Sequence, residues 1–245
     1  TETYANMGAY LSTFAPCVPT YLHGTLMAGN YKTPNIYVNV KAVFTNTVPV
    51  DAYRGAGRPE ATYQIERVID KAARELKVDP IALRRQNFIT EFPYATPVAV
   101  EYDTGDYVAT MDKLEEIADV KGFAARRAES EKNGKLRGFG VNCYIEACGI
   151  APSALVGALG ARAGLYDAAT VRVNATGSIS VMVGAHSHGQ GHETAFPQVV
   201  AEMLGIDPGM IDIVHGDTSK IPFGMGTYGS RSLAVCASAV VNAPE

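Results

Sequence analysis

A short run with two glycines and two arginines, Tyr53-Arg54-Gly55-Ala56-Gly57-Arg58, carries the most specific chemistry of this sequence. Glycine lets the backbone turn sharply and approach a ligand closely. The amphipathic pattern that follows predicts a helix, whose first turn offers free N–H groups and a partial positive charge. The run is therefore a candidate cradle for an anion or a cofactor. The planar guanidinium of Arg54 could bind a carboxylate, phosphate or carbonyl group, although a loop arginine is as often only solvated.

Two further glycine-punctuated loops follow, at residues 186–194 and 223–232. In the first, Gln190 lies between two glycines, where a side-chain amide can point at a ligand. The second matches the letters GxGxxG from Gly224 to Gly229. The sequence offers no position for the acidic residue that a dinucleotide fold needs about 20 residues later, so this match is weak evidence for that fold. Three such loops indicate one ligand at which they converge.

The histidines at positions 186, 188 and 192 raise a different possibility, because zinc sites use histidines at such spacing, here with Glu193 beside them. The glycines around Gln190 break the helical register that an HExxH site needs. Local hydrogen bonding of these histidines is therefore favoured, and a zinc hydrolase stays open as an alternative. Glu146, in an otherwise apolar run, should be either ion-paired or functional, and pairing is the more common outcome.

Composition limits the class of protein. The chain has 245 residues and is 47% hydrophobic, enough to bury the core of one large domain or two small ones. A net charge of −4, without a long basic run, argues against a general nucleic-acid binder. The four cysteines form no CxxC pair, which is typical of reduced thiols in a cytoplasmic protein. Neither end carries a signal-like or tail-like segment, so we expect a piece of a longer protein.

Periodicity predicts an α+β fold with mixed sheets and packed helices. Apolar residues recur at helical spacing in some segments and alternate, with β-branched residues, in others. Strands are predicted at 35–47, 140–145, 170–175, 178–183 and 211–215, and helices at 61–76, 80–87, 110–132, 196–204 and 232–241. Asp79-Pro80 predicts an N-cap followed by a first-turn proline, and Thr176-Gly177 predicts a hairpin turn. A linker and connecting helix at 91–136 separate two halves.

Together the motifs are similar to those of the molybdenum hydroxylases, the xanthine dehydrogenase and aldehyde oxidase family. The three stretches are AYRGAGRPEA from Ala52, GQGHET from Gly189 and FGMGTYGSRS from Phe223. They resemble the large molybdopterin-binding subunit, carbon monoxide dehydrogenase-like members above all. The resemblance runs along essentially the whole chain, with the motifs in the family's order.

The resemblance implies a cofactor and partners. It implies molybdopterin with molybdenum, in bacteria often as the cytosine dinucleotide, and oxidation of an aldehyde or N-heterocycle with water as the oxygen source. Electrons would pass to Fe–S clusters on a small subunit and FAD on a medium subunit, in a dimer of heterotrimers. Residues 1–90 would be the C-terminal part of a first molybdopterin-binding domain, and 137–245 the N-terminal part of a second.

The same resemblance assigns roles to individual residues. Arg54 falls beside the metal, where it would orient substrate, and Tyr144 and Glu146 fall where the family lines its substrate funnel. The remaining matched positions are expected to bind cofactor: Gly55, Ala56, Gly189, Gln190, Gly191, His192, Glu193, Thr194, Gly229, Ser230 and Arg231.

Two departures of this sequence from the family pattern restrict the substrate and the activity that we expect. Copper-containing carbon monoxide dehydrogenases carry a cysteine directly after the loop arginine, where this chain has Gly55, so carbon monoxide is not the expected substrate. The family's upstream glycine-rich loop and its catalytic glutamate, a general base, have no match within residues 1–245. We therefore expect no direct metal ligand in this chain and no turnover by it alone. The alternative from another class is a non-catalytic nucleotide- or anion-binding module that uses the same loops.

Overall fold

The computed structural model describes residues 1–13, 15–149, 153, 157, 162 and 165–243. The chain divides into two compact units, Thr1–Glu146 and Ala147–Glu245. Compactness alone does not define a family domain, so the proposed halves on either side of 91–136 stay a prediction. In the described part of the chain, no helix is long and apolar enough to cross a membrane.

The described residues of the first unit form four α-helices, short 3₁₀ and π-helical segments, and two small two-stranded sheets. Strands β1 and β2 pair in parallel, and β3 and β4 pair antiparallel. The elements are β1 (Glu2–Asn6), β2 (Asn39–Val43), α1 (Arg58–Leu76), α2 (Pro80–Asn87), β3 (Tyr94–Ala95), β4 (Glu101–Tyr102), α3 (Tyr107–Ile117) and α4 (Phe123–Lys132).

Local chemistry explains where α1 and α2 begin. Gly57 caps α1 in the left-handed region, at a φ of +86°, and Pro59 occupies its first turn. Asp79 caps α2, since its carboxylate accepts a hydrogen bond of 2.8 Å from the Ala82 N–H. The predicted N-cap and first-turn proline of α2 are confirmed.

The core of the first unit contains a buried ionic network beside its apolar cluster. The guanidinium of Arg84, which is fully buried, donates from Nε and Nη2 to Glu66 Oε2, at 2.9 and 2.8 Å. Tyr31 donates its hydroxyl proton to the other carboxylate oxygen of Glu66 at 2.5 Å. Removing one partner from such a network typically costs about 3–5 kcal/mol, because a buried charge is left uncompensated.

Two predicted elements of the first unit are wrong. The single helix predicted over 110–132 is divided into α3 and α4, because Asp119 adopts a φ of +45° and its carboxylate caps a short 3₁₀ turn by accepting from the Gly122 N–H. The segment predicted as a strand over 140–145 has no strand pairing. Side chains satisfy its backbone instead, since Cys143 N–H donates to Glu66 at 3.0 Å and Arg84 donates to the Val141 carbonyl at 3.2 Å.

The second unit is a three-stranded sheet covered by helices. Strand β5 (Ala169–Val173) pairs antiparallel with β6 (Ile179–Val183), which pairs in parallel with β7 (Ile211–Val214). Helix α5 (His192–Leu204) is the crossover between the two parallel strands, and α6 (Ser238–Asn242) follows a π-helical segment, Ser232–Ala237. The sheet and these helices share one core, formed by Ile179, Val181, Val183, Ala185, Phe196, Val200, Ala201, Ile211, Cys236, Ala237 and Val240.

The second unit follows its predicted elements closely. The turn at Thr176-Gly177 joins β5 to β6, with Gly177 at a φ of +86° and its N–H bonded to the Asn174 carbonyl at 2.9 Å. Gly205 ends α5 in the left-handed region, as its sequence position predicted. The α+β class is confirmed.

Candidate functional site

The topology of the second unit brings two loops to one edge of its sheet. Strands β6 and β7 are parallel, so their carboxyl ends lie at the same edge. Residues 184–191 leave β6 there and run into α5, and His215 follows β7 directly. In open α/β arrangements such an edge is the usual place for a ligand.

A hydrogen-bonded chain of side chains links these loops. His186 Nδ1 lies 2.9 Å from His215 Nδ1, and His215 Nε2 lies 2.9 Å from Glu193 Oε1. Ser187 donates its hydroxyl proton to Glu193 Oε2 at 3.2 Å. Hydrogen bonds from its own backbone N–H and from His215 hold the pKa of the Glu193 carboxyl below its ordinary value. His186 is thus hydrogen-bonded, as predicted, but its partners lie 29 and 41 positions away rather than within its own loop.

The third glycine-rich loop is attached to the second through one hydroxyl group. Thr227 Oγ1 accepts from the His186 N–H at 2.9 Å and donates to the His186 carbonyl at 2.5 Å. Two of the three loops expected to converge therefore meet within this unit. Arg54 belongs to the other unit, and its place beside them stays a prediction.

Helix α5 begins without a side-chain cap. Gly189 and Gly191 adopt φ values of +93° and +82°, and a Cβ on either would meet no described atom within 4 Å. The side-chain oxygen of Gln190 turns back to accept from the His188 N–H. An uncapped helix start behind an open glycine backbone is a suitable seat for a phosphate group.

His192, the first residue of α5, is buried with its ring 5.0 Å from that of Phe196. Its Nδ1 has no hydrogen-bond partner among the residues that the structure describes. Burial lowers the pKa of His192, because the charged imidazolium is poorly solvated there. The ring is therefore neutral near pH 7, with a buried polar atom available to a further group.

Arg231 supports its loop from inside the protein. Its side chain is fully buried and Nη1 lies 2.9 Å from Asp167 Oδ2, also inaccessible to solvent. The guanidinium further donates to the carbonyls of Gly226 at 3.0 Å and Tyr166 at 3.1 Å. These contacts hold the loop in place, and the Arg231 Nε atom, which is also buried, has no hydrogen-bond partner among the described residues. The role of Arg231 in cofactor binding stays a prediction. Gly229 and Ser230, predicted beside it, adopt consecutive left-handed conformations with φ of +59° and +55°.

The loop before α1 in the first unit is built differently. Gly55, Ala56 and Gly57 have φ values of +106°, +44° and +86°. A Cβ on Gly57 would lie 2.2 Å from the Val18 carbonyl oxygen, so the loop is packed tightly against its own unit. Arg54 is exposed, and within the described residues its side chain forms no hydrogen bond or ion pair.

Glu146 is ion-paired rather than isolated in apolar surroundings. Its Oε1 lies 3.1 Å from Nε of the buried Arg58, the first residue of α1. The expectation that pairing is the more common outcome is confirmed here, and the funnel role stays a prediction. Tyr144 is 70% exposed, and its funnel role likewise stays a prediction.

The zinc alternative finds no support in the described part of the chain. His186 and His188 are exposed whereas His192 is buried against Phe196. No group of three His, Cys, Asp or Glu residues among the described ranges is arranged to hold a metal ion.

Sequence reasoning missed three residues of this region: His215, Thr227 and Asp167. The partners of these residues lie tens of positions away, so no local pattern shows the contacts. One signal was available. Because β6 and β7 flank a single predicted helix, the strand–helix–strand pattern favours a parallel pair, in which His215 would end beside residue 186.

Comparison with known proteins gives the family. Molybdopterin cofactor-binding domain models match residues 1–88 and, in a second form, residues 113–245. The chain is 39% identical over 223 residues to the carbon monoxide dehydrogenase large chain of Hydrogenophaga pseudoflava, covering 88% of this chain and 27% of that protein. It is 37% identical over 214 residues to the nicotine 6-hydroxylase large subunit of Paenarthrobacter nicotinovorans, covering 87% and 26%.

A solved structure gives the same result. Quinoline 2-oxidoreductase from Pseudomonas putida 86 superimposes with a TM-score of 0.82 at 33% identity, over 94% of this chain and 30% of that one. The chain therefore belongs to the molybdopterin cofactor-binding domain family. It spans less than a third of the length of these relatives.

Proposed function

We propose that this chain supplies part of the cofactor site of a molybdenum hydroxylase that oxidises an aldehyde or an N-heterocycle, with water as the oxygen source. The observation that carries the proposal is the uncapped start of α5, with its open, left-handed glycines at the sheet edge. When bound, molybdopterin with molybdenum supplies the two-electron redox chemistry. The residues of this chain bind and orient the participants.

The backbone of residues 189–194 would hold a phosphate of the cofactor. Its N–H groups lie at a helix start, where the helix dipole favours an anion. The left-handed pair Gly229-Ser230 offers a second concave backbone, and Thr227 fixes that loop to the first. Two such seats suit the cytosine dinucleotide form, which carries a second phosphate. The Nδ1 atom of His192 would supply one further polar contact.

The substrate side of the proposal rests on the first unit. Arg54 is exposed and has no partner in the described chain. Its planar guanidinium group can therefore orient a carbonyl or ring nitrogen of a substrate. Gly55 is kept as glycine by its φ of +106° and by Pro59, whose Cγ would lie 2.5 Å from an added Cβ. A copper-bridging cysteine would be strained there, which supports a substrate other than carbon monoxide. Two relatives named for nicotine and quinoline favour an N-heterocycle.

Electrons would leave through partner subunits. Relatives named as a large chain and a large subunit support assembly with an Fe–S small subunit and a FAD medium subunit, as a dimer of heterotrimers. The cysteines of this chain form no disulfide in the described residues, which agrees with a cytoplasmic protein.

Metal and nucleotide analysis of the intact native protein tests the proposal. We expect molybdenum by elemental mass spectrometry, and cytidine monophosphate after acid hydrolysis, in equal amounts. Molybdenum without cytidine would reject the dinucleotide form only. Protein that is folded and contains neither, in a host that makes the cofactor, would overturn the proposal.

A further inference from the structure

The hydrogen-bonded chain Glu193–His215–His186 has chemistry that binding a phosphate does not require. It joins the start of α5, the end of β7 and the loop after β6 through two contacts of 2.9 Å. Two imidazoles bonded through their Nδ1 atoms can form that contact only if one carries the proton and the other accepts it. The arrangement therefore fixes where the protons lie.

The Glu193 carboxylate, at one end of this series of hydrogen bonds, determines which nitrogen donates in each contact. Ionised Glu193 can only accept, so His215 donates its Nε2 proton to it, and the relay uses the tautomer of His215 that carries no proton on Nδ1. The Nδ1 atom of His215 is then an acceptor, and His186 must donate to it from Nδ1. The remaining nitrogen of His186, Nε2, is left with an unshared electron pair. His186 is an exposed residue.

Two independent features hold the chain in this geometry. Thr227 clamps both backbone groups of His186, at 2.9 and 2.5 Å. Gly216, which follows His215, has a φ of +71°, and a Cβ there would lie 3.0 Å from His186 Nδ1. The backbone is thus free of a side chain at the place where the two imidazoles meet.

We propose that Glu193, His215 and His186 form a proton relay, and that Nε2 of His186 accepts a proton from an N–H or O–H group of a ligand at this loop. As the ligand proton binds Nε2, the Nδ1 proton of His186 passes to Nδ1 of His215. His215 becomes an imidazolium ion that donates to Glu193 and to His186. The ligand is left with one more unit of negative charge, and no electrons are exchanged.

His186 is the residue that contacts the ligand, and His215 and Glu193 act through it as positioning residues. In a Ser-His-Asp triad, too, a carboxylate fixes the tautomer of the histidine that contacts the reacting group. The neighbouring His188, whose ring lies 5.2 Å from that of His186, has no place in the chain of protons. It serves as the internal reference, because it is also an exposed histidine of the same loop.

Residue-resolved acylation by diethyl pyrocarbonate tests the relay in the intact protein. The reagent modifies an unprotonated imidazole nitrogen, and peptide mass spectrometry gives the initial rate at each histidine. We expect His186 to react several-fold faster than His188. In Glu193→Gln the amide can donate as well as accept, so the tautomers are no longer fixed and the His186 rate should fall to that of His188. His215→Phe should have the same effect.

Two further variants complete the design. Gly216→Ala pushes a methyl group towards His186 Nδ1 and should also slow His186, which gives a second route if His215→Phe does not fold. His188→Gln leaves the relay intact and should leave the His186 rate unchanged. If His186 reacts equally fast in wild type, Glu193→Gln and Gly216→Ala, with unchanged thermal unfolding, the relay is disproved. Molybdenum content, measured on the same samples, reports separately on the proposed function.

Discussion

Two loops of this chain, residues 55–57 before α1 and 189–191 before α5, share one construction and differ in their surroundings. Each ends in a glycine that caps a helix in the left-handed region, without a side-chain cap. Gly57 is enclosed, with the Val18 carbonyl 2.2 Å from the position of a Cβ. Gly191 faces open space in the described structure.

The comparison distinguishes two physical reasons why a position requires glycine: the backbone conformation and the lack of space for a side chain. At position 57 both the backbone conformation and the packing of the unit require it. At position 191 only the conformation does, and nothing within the described residues fills the space in front of it. A loop that the described residues of its own unit leave uncovered is open to a ligand, which is the reason for proposing that the cofactor phosphate binds there.

The largest effect is expected from Gly57→Ala. The added methyl group meets a backbone oxygen, and alanine is strained at this φ, so we expect a loss of about 3–5 kcal/mol in unfolding free energy. Gly191→Ala is the matched control, since it has the strain without the collision, and should lose only about 1–2 kcal/mol. Urea unfolding of both variants measures the contrast. Equal losses would show that the two glycines are alike.

Gly191→Val tests whether the open loop at residues 189–191 binds the cofactor. A β-branched residue projects into the space proposed for a phosphate and is strained at positive φ. We expect molybdenum and cytidine content to fall by about tenfold, which corresponds to roughly 1.4 kcal/mol of binding. The substitution should leave the fold intact, because no described atom lies in its way. Full cofactor content in a stable variant would contradict the phosphate assignment.

Arg54→Lys tests whether Arg54, which directly precedes the enclosed loop at residues 55–57, orients the substrate. Lysine keeps the charge but loses the planar fork, so we expect turnover of an N-heterocycle to fall by about tenfold. Stability should change by less than about 0.5 kcal/mol, since the side chain is exposed. Steady-state assays of the assembled enzyme, normalised to molybdenum, measure this. Unchanged turnover would remove Arg54 from substrate orientation.

The smallest effect is a pH dependence from His192, which lies next to the open loop. Burial lowers its pKa below the unfolded value of about 6.5, so the unfolded chain binds the proton more readily. Its contribution to stability is present above about pH 6.5 and is lost as the pH falls towards the lower folded pKa, by at most about 1.4 kcal/mol per pH unit. His192→Phe should flatten this slope in urea unfolding, whereas His188→Gln should not.

Features that depend on neighbouring residues could be predicted from the sequence. The Asp79 cap, the Thr176-Gly177 turn and the left-handed Gly205 each need only a few adjacent residues, and each is confirmed. The break at Asp119 is also local, but it was missed because an aspartate inside a charged helical pattern gives no warning of a left-handed backbone.

Contacts with distant partners were missed in two places where the local sequence carries no sign of them. The segment at 140–145 has the composition of a strand, yet the Glu66 carboxylate and the Arg84 guanidinium take its backbone hydrogen bonds. Likewise, nothing in the sequence indicated that Arg231 is buried and ion-paired with Asp167, 64 positions away. Sequence motifs identified the loops of the candidate site, whereas the contacts within it came from the fold.

The hydroxyl of Tyr31, buried against Glu66, has a consequence for optical measurements. Burial, together with the hydrogen bond to Glu66, raises the pKa of Tyr31 well above the ordinary tyrosine value. Its contribution to stability is therefore complete below about pH 10 and is lost above it, as the unfolded chain releases the proton. Ultraviolet absorbance of tyrosinate in alkali should rise in a late, cooperative step when this phenol is exposed. Because Tyr31 lies in the first unit, that step is an intrinsic optical signal for the unfolding of one half of the chain.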